Sequence, residues 1–139
     1  MSLLLAIGLM SPVAAADEAE NRRYTVRAMV PEMEVATQGE IELRVDAEGD
    51  YLIDKKYPAK LEFKPEVGDT VLAVRKQNQT HADAEYDEDG KSMTWTVELT
   101  AKKEGTHPVS VTMKFQICDD GDCVAATSEM RLKIVVKGD

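Results

Sequence analysis

The sequence is short of positive charge and of recognisable catalytic motifs, and each shortage excludes a class of functions. Only 17 Lys and Arg stand against 26 Asp and Glu, which gives a net charge of −9. Such an acidic surface argues against a nucleic acid or an anionic membrane as a partner. No Ser-His-Asp set, phosphate-binding glycine loop or pair of catalytic carboxylates can be made out, so the common hydrolytic and nucleotide-dependent reactions are not indicated.

Long apolar runs are also scarce, and the only one lies at residues 1–16, MSLLLAIGLMSPVAAA. It is too short to span a bilayer, and the small residues Ala14 and Ala16 at its end are typical of a signal-peptidase site. No cysteine follows it, so a lipoprotein anchor is not indicated. We therefore expect a signal peptide over 1–16, a mobile acidic segment over 17–23, and a periplasmic or secreted bacterial protein whose mature chain does not insert into a membrane.

The remainder, 24–139, lacks a linker, an internal repeat and any sustained helical period, which predicts a single domain without long helices. Its apolar and polar residues alternate in short runs separated by Gly, Pro and Asp, as in β-strands. We expect an immunoglobulin-like antiparallel β-sandwich of about seven or eight strands. The candidate strands are 24–30, 40–47, 51–57, 60–63, 70–76, 93–101, 108–118 and 129–137.

Polar residues with metal-binding potential do not form a recognisable site. The segment 77–92 is the longest polar stretch and is expected to be a loop. His81, His107 and Met113, together with the cysteines, are residue types that bind copper, but their order and spacing do not fit a copper site. The acidic run 83–90 does not match the calcium-binding loop of an EF-hand. We therefore expect no metal and no cofactor, and interpret the two histidines as ordinary loop residues.

Two cysteines are present, and both lie in one short stretch, KFQICDDGDCVAA, with four polar residues between them. Before these polar residues, the odd-numbered residues of 109–117 are apolar. After them, the even-numbered residues of 130–136 are apolar. Cys118 and Cys123 both fall in the polar phase, so both are expected on the outer face of a hairpin whose inner face is core.

The spacing also predicts how this hairpin is paired. A four-residue loop at 119–122 places Cys118 opposite Cys123, and every further pair then has numbers that sum to 241, as these two do. Apolar residues meet apolar residues on the inner face, apart from Met113 opposite Ser128. Opposed α-carbons about 4.5 Å apart suit a disulfide, which wants about 4.4–6.8 Å. A Cys118–Cys123 bridge is therefore feasible.

The residues leave the role of such a bridge open between two alternatives. A loop of four residues gives an entropic stabilisation near the bottom of the usual range, and a bridge on an outer strand face is accessible to exchange. Asp119, Asp120 and Asp122 surround the sulfurs with negative charge, which disfavours thiolates. The pattern favours a disulfide that a partner attacks. An inert bridge in an exported β-domain is the alternative.

The strand and turn FQICDDGDC, the closing strand EMRLKIVVK and the upstream segment GDYLIDKKYPAKLEF resemble the N-terminal periplasmic domain of the thiol:disulfide interchange protein DsbD. The resemblance covers about residues 36–137, and the spaced cysteine pair carries most of it. The sequence departs from the family after the second cysteine, where Val124-Ala125-Ala126 stands in place of Leu-Pro-Pro.

The resemblance implies that Cys118 and Cys123 accept electrons from a thioredoxin-like or membrane electron-donor protein and pass them to exported thiol proteins. It implies Cys123 as the residue joined to partners, and Tyr86, in HADAEY, as the counterpart of the aromatic cap of that family. The membrane domain and the C-terminal thioredoxin domain of full DsbD have no counterpart in this sequence, so the electron source is expected to be a separate protein. The alternative function is a binding or structural module whose disulfide is inert.

Overall fold

The molecule is built from short strands that pair into two sheets. The computed structural model describes residues 10–13 and 23–138. Within that part of the chain, no helix has the length and hydropathy needed to cross a membrane. The strands are β1 (Met10–Val13), β2 (Tyr24–Pro31), β3 (Met33–Glu34), β4 (Gln38–Ala47), β5 (Leu52–Ile53), β6 (Lys60–Pro65), β7 (Leu72–Val74), β8 (Asn78–Thr80), β9 (Glu85–Tyr86), β10 (Ser92–Ala101), β11 (Gly105–Asp119) and β12 (Asp122–Lys137).

The two sheets have six strands each. The first follows the order β1-β2-β4-β10-β7, with β9 also paired to β10. The second follows the order β3-β12-β11-β6-β8, with β5 also paired to β11. All the pairings are antiparallel except the short one between β3 and β12. This arrangement confirms the predicted β-sandwich.

Most of the predicted leader and the N-terminal segment lie outside the described residues. Met10–Val13 is the exception, and it forms β1 against β2, with Met10 opposite Pro31 and Val13 opposite Ala28. Because β1 falls inside the predicted signal peptide, removal of 1–16 would leave β2 as the outer strand of the first sheet. Of the predicted segment 17–23, only Arg23 is described, in a turn.

The core occupies the space between the sheets and follows the alternation of the sequence. The odd-numbered residues of β11 from 109 to 117 and the even-numbered residues of β12 from 130 to 136 are all buried. Phe115 contacts Tyr24 of the opposite sheet edge to face, with ring centroids 5.0 Å apart. Trp95 is fully buried, and its indole Nε1 donates a hydrogen bond to the Thr80 carbonyl at 2.9 Å. Both aromatic contacts tie distant parts of the chain together.

Two predicted elements differ from the structure. The strand expected over 51–57 is only β5, Leu52–Ile53, because the chain turns away from β11 after two residues. The loop expected over 77–92 contains β8, a 3-10 turn at His81–Asp83 and β9. Gln79 of β8 is buried, and its side-chain amide donates to the Thr96 carbonyl at 3.0 Å. The buried position in β8 is thus occupied by a polar side chain that is satisfied by a backbone carbonyl. The sequence of β8 therefore lacks the alternation of apolar and polar residues by which a strand is predicted.

The hairpin of β11 and β12 has the predicted register along its whole length, from Gly105 opposite Val136 to Cys118 opposite Cys123. The pairing runs one step further than expected, because Asp119 lies opposite Asp122. The turn therefore consists of Asp120 and Gly121, with φ angles of 41° and 96°. Positive φ at both central residues is the geometry of a two-residue type I′ turn, which an Asp-Gly pair favours.

We expect Gly121→Ala to lower the free energy of unfolding of the disulfide-bonded protein by about 1–3 kcal/mol, because an L side chain at this φ is strained. A shift of the urea midpoint measures the change. Gly68→Ala is the matched control: no positive φ is required there, and an added Cβ meets only the Thr70 hydroxyl at 3.9 Å. Equal midpoints for the two variants would contradict the assigned turn.

Candidate redox site

The two sulfurs sit at the tip of the long hairpin but in unequal surroundings. Cys118 belongs to β11, which is flanked by β5 on one side and β12 on the other. Cys123 belongs to β12, whose second neighbour in the described part of the chain, β3, pairs with it only at Val136 and Lys137. Cys118 is consequently half-buried, whereas Cys123 is exposed beside an open strand edge. Of the two cysteines, Cys123 is therefore the more accessible from solvent.

Cys118 and Cys123 form a disulfide, with their α-carbons 4.0 Å apart. This confirms the bridge that the register made feasible, and the burial of Ile117 next to Cys118 confirms that the sulfurs lie on the outer face. A disulfide of this kind fits a protein of the periplasm or the extracellular space, where thiols are oxidised.

Asp54 is a charged group that lies directly beside the bridge. Its Oδ2 lies 4.0 Å from the Sγ of Cys118. The carboxylate is fixed in place: the Gln116 side-chain amide donates to Oδ2 at 2.8 Å, and the Lys56 backbone N–H donates to Oδ1 at 3.0 Å. The backbone N–H of Asp54 also donates to the Gln116 carbonyl at 2.8 Å. These hydrogen bonds hold the Asp54 carboxylate in a defined position beside Cys118.

Sequence reasoning missed Asp54, since it lies 64 residues before Cys118 and inside a segment expected to continue as a strand. Its position follows from the pairing of β5 with β11, which places Leu52 opposite Cys118 and ends just before Asp54. A two-residue strand gives no periodic signal. The only hint was the clustering of Asp with Lys after a short apolar run, which is common at turns.

Tyr86, the predicted cap, lies in β9, which pairs with β10 in the other sheet. Burial, together with the negative charge of Asp54, raises the pKa of the Tyr86 hydroxyl above its usual value. That hydroxyl donates to the His81 carbonyl at 3.2 Å, and the Lys55 ammonium lies 5.8 Å from the centre of the ring. The charge of Asp54 thus acts on Tyr86, while the role of Tyr86 as a cap over the sulfurs stays a prediction.

Leu52 flanks the disulfide on the side opposite Cys123. It is directly opposite Cys118 in the β5–β11 pair and is 46% exposed. Directly paired residues share one face of a sheet, so Leu52 presents an apolar surface next to the sulfurs. The other large exposed hydrophobic side chain among the described residues is Val135, near the far end of β12.

The three predicted environment residues form the end of the hairpin. Asp119 and Asp122 are the last pair of the ladder, and Asp120 is in the turn. Asp119 is half-buried, whereas Asp120 and Asp122 are exposed. Asp54, in contrast, lies on the sheet side of Cys118, with its carboxylate 4.0 Å from the sulfur.

The structure separates the candidate copper ligands from the two cysteines. Met113 is fully buried in the core, and His107 is buried in β11, where its Nε2 contacts the Lys103 carbonyl at 2.9 Å. The interpretation of His107 as a loop residue is therefore wrong; it lies eleven positions before Cys118 on the same strand, about 36 Å away at the usual rise of a strand. His81 lies in the 3-10 turn beside Tyr86.

No family model matches the sequence, and no curated protein matches it. Among solved structures, AggA, the major subunit of aggregative adherence fimbriae type I from Escherichia coli, is similar over 82% of this chain and 94% of its own, at 11% identity and a TM-score of 0.46. A conjugative transposon lipoprotein from Bacteroides eggerthii is similar over 82% and 98%, at 15% identity and a TM-score of 0.42. AvmM, which catalyses macrocyclisation in alchivemycin A biosynthesis, is similar over 81% and 89%, at 11% identity and a TM-score of 0.37.

Similarities this distant carry no information about the site, and none of the three proteins is DsbD. The resemblance to the N-terminal domain of DsbD therefore remains a prediction from the sequence. What the site does has to be argued from its own geometry.

We expect Asp54→Asn to make the Cys118 thiol more reactive. In a Cys123→Ser background, the rate of alkylation at neutral pH and low salt should rise about fivefold, because one unit charge 4 Å away in water is worth about 1 kcal/mol. Asparagine keeps the acceptor for Gln116 but not the charge. Asp69→Asn, in the turn before β7, is the control. Unchanged alkylation in both variants would show that Asp54 does not influence the sulfur.

Proposed function

We propose that this protein is an exported thiol–disulfide exchange domain, in which the Cys118–Cys123 pair relays electrons from a thioredoxin-like donor to exported thiol proteins. The observation that carries the proposal is the asymmetry of the bridge. The exposed residue Cys123 is bonded to the half-buried residue Cys118 in a disulfide that encloses only four residues. Such a bridge stabilises the fold little, while one of its sulfurs is open to attack.

The asymmetry sets the order of the proposed steps. A donor thiolate attacks the Cys123 Sγ, the bond between the sulfurs breaks, and Cys118 leaves as a thiolate that takes up a proton. A second thiol of the donor then attacks the mixed disulfide and releases Cys123, so that two electrons and two protons have passed to this domain and the donor is oxidised to its disulfide. The reverse sequence delivers the electrons to an exported protein disulfide.

The surroundings of the sulfurs fit the role of a disulfide that waits for attack. The carboxylates of Asp54 and the hairpin tip disfavour thiolates at both cysteines. The reduced pair would therefore be a slow nucleophile toward small oxidants and would depend on a docked partner. The same charges favour the alternative function, a binding or structural module with an inert bridge, since a leaving thiolate beside Asp54 is costly.

Docking would use Leu52 and the open edge of β12. Leu52 offers exposed apolar surface directly beside Cys118, and apolar contact with a partner is favourable wherever it excludes water. The backbone of β12 around Cys123 has no strand neighbour among the described residues on its outer side, so a partner segment has free hydrogen-bonding groups to pair with there.

The reduction potential separates the two functions. We expect equilibration of the protein with glutathione buffers to give a potential above about −300 mV, in the range of exchangeable bridges. A bridge that stays oxidised below that value belongs to the structural class, and the exchange function would then be abandoned. Quantifying the two free thiols by alkylation and mass measurement gives the reduced fraction at each buffer ratio.

Trapping of mixed disulfides by single-cysteine variants identifies which cysteine is attacked. Incubated with an oxidised thioredoxin-like protein, Cys118→Ser should accumulate a mixed disulfide, because the Cys123 thiolate opens the partner's disulfide, one partner sulfur leaves as a thiolate, and the Cys118 sulfur that would complete the exchange is missing. Cys123→Ser should accumulate far less, since the remaining residue Cys118 is half-buried. Equal trapping by the two variants would contradict the assignment of Cys123 as the attacked residue.

Leu52→Ser should slow reduction by a thioredoxin-like protein about tenfold while leaving reduction by dithiothreitol unchanged, because the small reagent needs no docking surface. Val135→Ser is the matched control, since Val135 is 39% exposed and lies at the other end of the hairpin. Stopped-flow fluorescence of the donor protein gives the rate constants. Equal slowing by both variants, or slowing with both reductants, would remove Leu52 from the docking surface.

A further inference from the structure

A second use of the site becomes available once the bridge is open. A carboxylate oxygen of Asp54 and the sulfurs of Cys118 and Cys123 lie within 4.8 Å of one another. Within residues 10–13 and 23–138, these are the three side chains close enough together to share one metal ion. We propose that the reduced site binds Zn²⁺ through these three atoms, with water in the fourth position. The proposal needs the disulfide to be reducible, but it does not need any protein to exchange with it.

The distances suit a tetrahedral site. With Zn–S about 2.3 Å and Zn–O about 2.0 Å, a sulfur and an oxygen ligand lie about 3.5 Å apart and two sulfurs about 3.8 Å apart. The Asp54 oxygen is 4.0 Å from the Cys118 sulfur before any adjustment. The α-carbons of the two cysteines are 4.0 Å apart and fixed by the strand pairing, so free thiols on this face stay within reach of one ion.

The carboxylate is prepared for the role of ligand. Gln116 donates to one oxygen of Asp54 and the Lys56 backbone N–H donates to the other, which holds the carboxylate facing Cys118. Hydrogen bonds of this kind orient metal-binding carboxylates in known sites. The orientation costs nothing further when an ion arrives, because it already exists in the oxidised protein.

The charge around the site also favours a divalent cation. Asp119, Asp120 and Asp122 lie at the end of the same hairpin, and the whole chain carries a net charge of −9. These groups disfavour two free thiolates but attract Zn²⁺, which compensates the thiolate charge. Two thiolates together with one carboxylate suit Zn²⁺ better than Mg²⁺ or Ca²⁺, which prefer oxygen ligands alone.

The chemistry is a proton-coupled switch. Reduction adds two electrons and two protons and gives two thiols, and the reductant is a dithiol that becomes a disulfide. Zn²⁺ binding then releases both thiol protons to solvent. The oxidised bridge offers no thiolate, so the site exists only in the reduced state, and the bound ion would hold the protein in that state.

The test uses the wild-type protein reduced by a phosphine, which takes up oxygen from water as it opens the bridge, and then freed of reductant without air. Titration with Co²⁺ should give thiolate-to-metal charge-transfer absorption that saturates at one ion per chain. Zn²⁺ should displace the Co²⁺. The oxidised protein should give no such absorption. A bridge that resists the phosphine, or a reduced protein without this absorption, overturns the proposal.

The assignment of the third ligand is tested with two variants of equal charge. Asp54→Asn should weaken Zn²⁺ binding at least tenfold in competition titrations, whereas Asp119→Asn, also next to Cys118 but not in the ligand group, should weaken it less than threefold. Equal weakening would show that only general charge attraction operates and would overturn the three-ligand site. Because no partner protein takes part, these results are independent of whether exchange occurs.

Discussion

β11 is paired with β12 along its whole length, and this pairing fixes the position of both sulfurs. A slip of one residue would turn Val109, Phe115 and Ile117 toward solvent and bring Cys118 into the core. The apolar face therefore locks the register, and the register in turn locks the disulfide on the opposite face. The packed core therefore positions the two sulfurs, while local hydrogen bonds position Asp54 beside them.

Strands whose residues alternate between apolar and polar could be predicted from the sequence. Strands that are held in place by individual side-chain hydrogen bonds could not. The β11–β12 hairpin is long enough that its apolar phase and its Asp-Gly turn gave the pairing independently. β8 could not be found this way, because Gln79 is buried by a hydrogen bond to the Thr96 carbonyl and not by its hydrophobicity. Local patterns show which face a residue takes, but they do not show which distant carboxylate arrives there.

Asp54 illustrates that limit and also connects the two proposals. It is brought to Cys118 by a strand of two residues and held by Gln116, a residue of the polar phase of β11. One carboxylate then has opposite effects on two states of the site. It would oppose a free thiolate on Cys118, and in the proposed zinc site it would supply the third ligand to the cation that neutralises that thiolate.

The small size of the loop closed by the disulfide has a consequence for the lifetime of the protein. Opening the bridge between Cys118 and Cys123 frees only the turn, while the ladder behind it and the core remain paired. Cleavage by proteases tracks the population of opened chains, and that population should be nearly the same with the bridge closed or open. The oxidised and the reduced protein would then be degraded at the same rate in a protease-rich compartment.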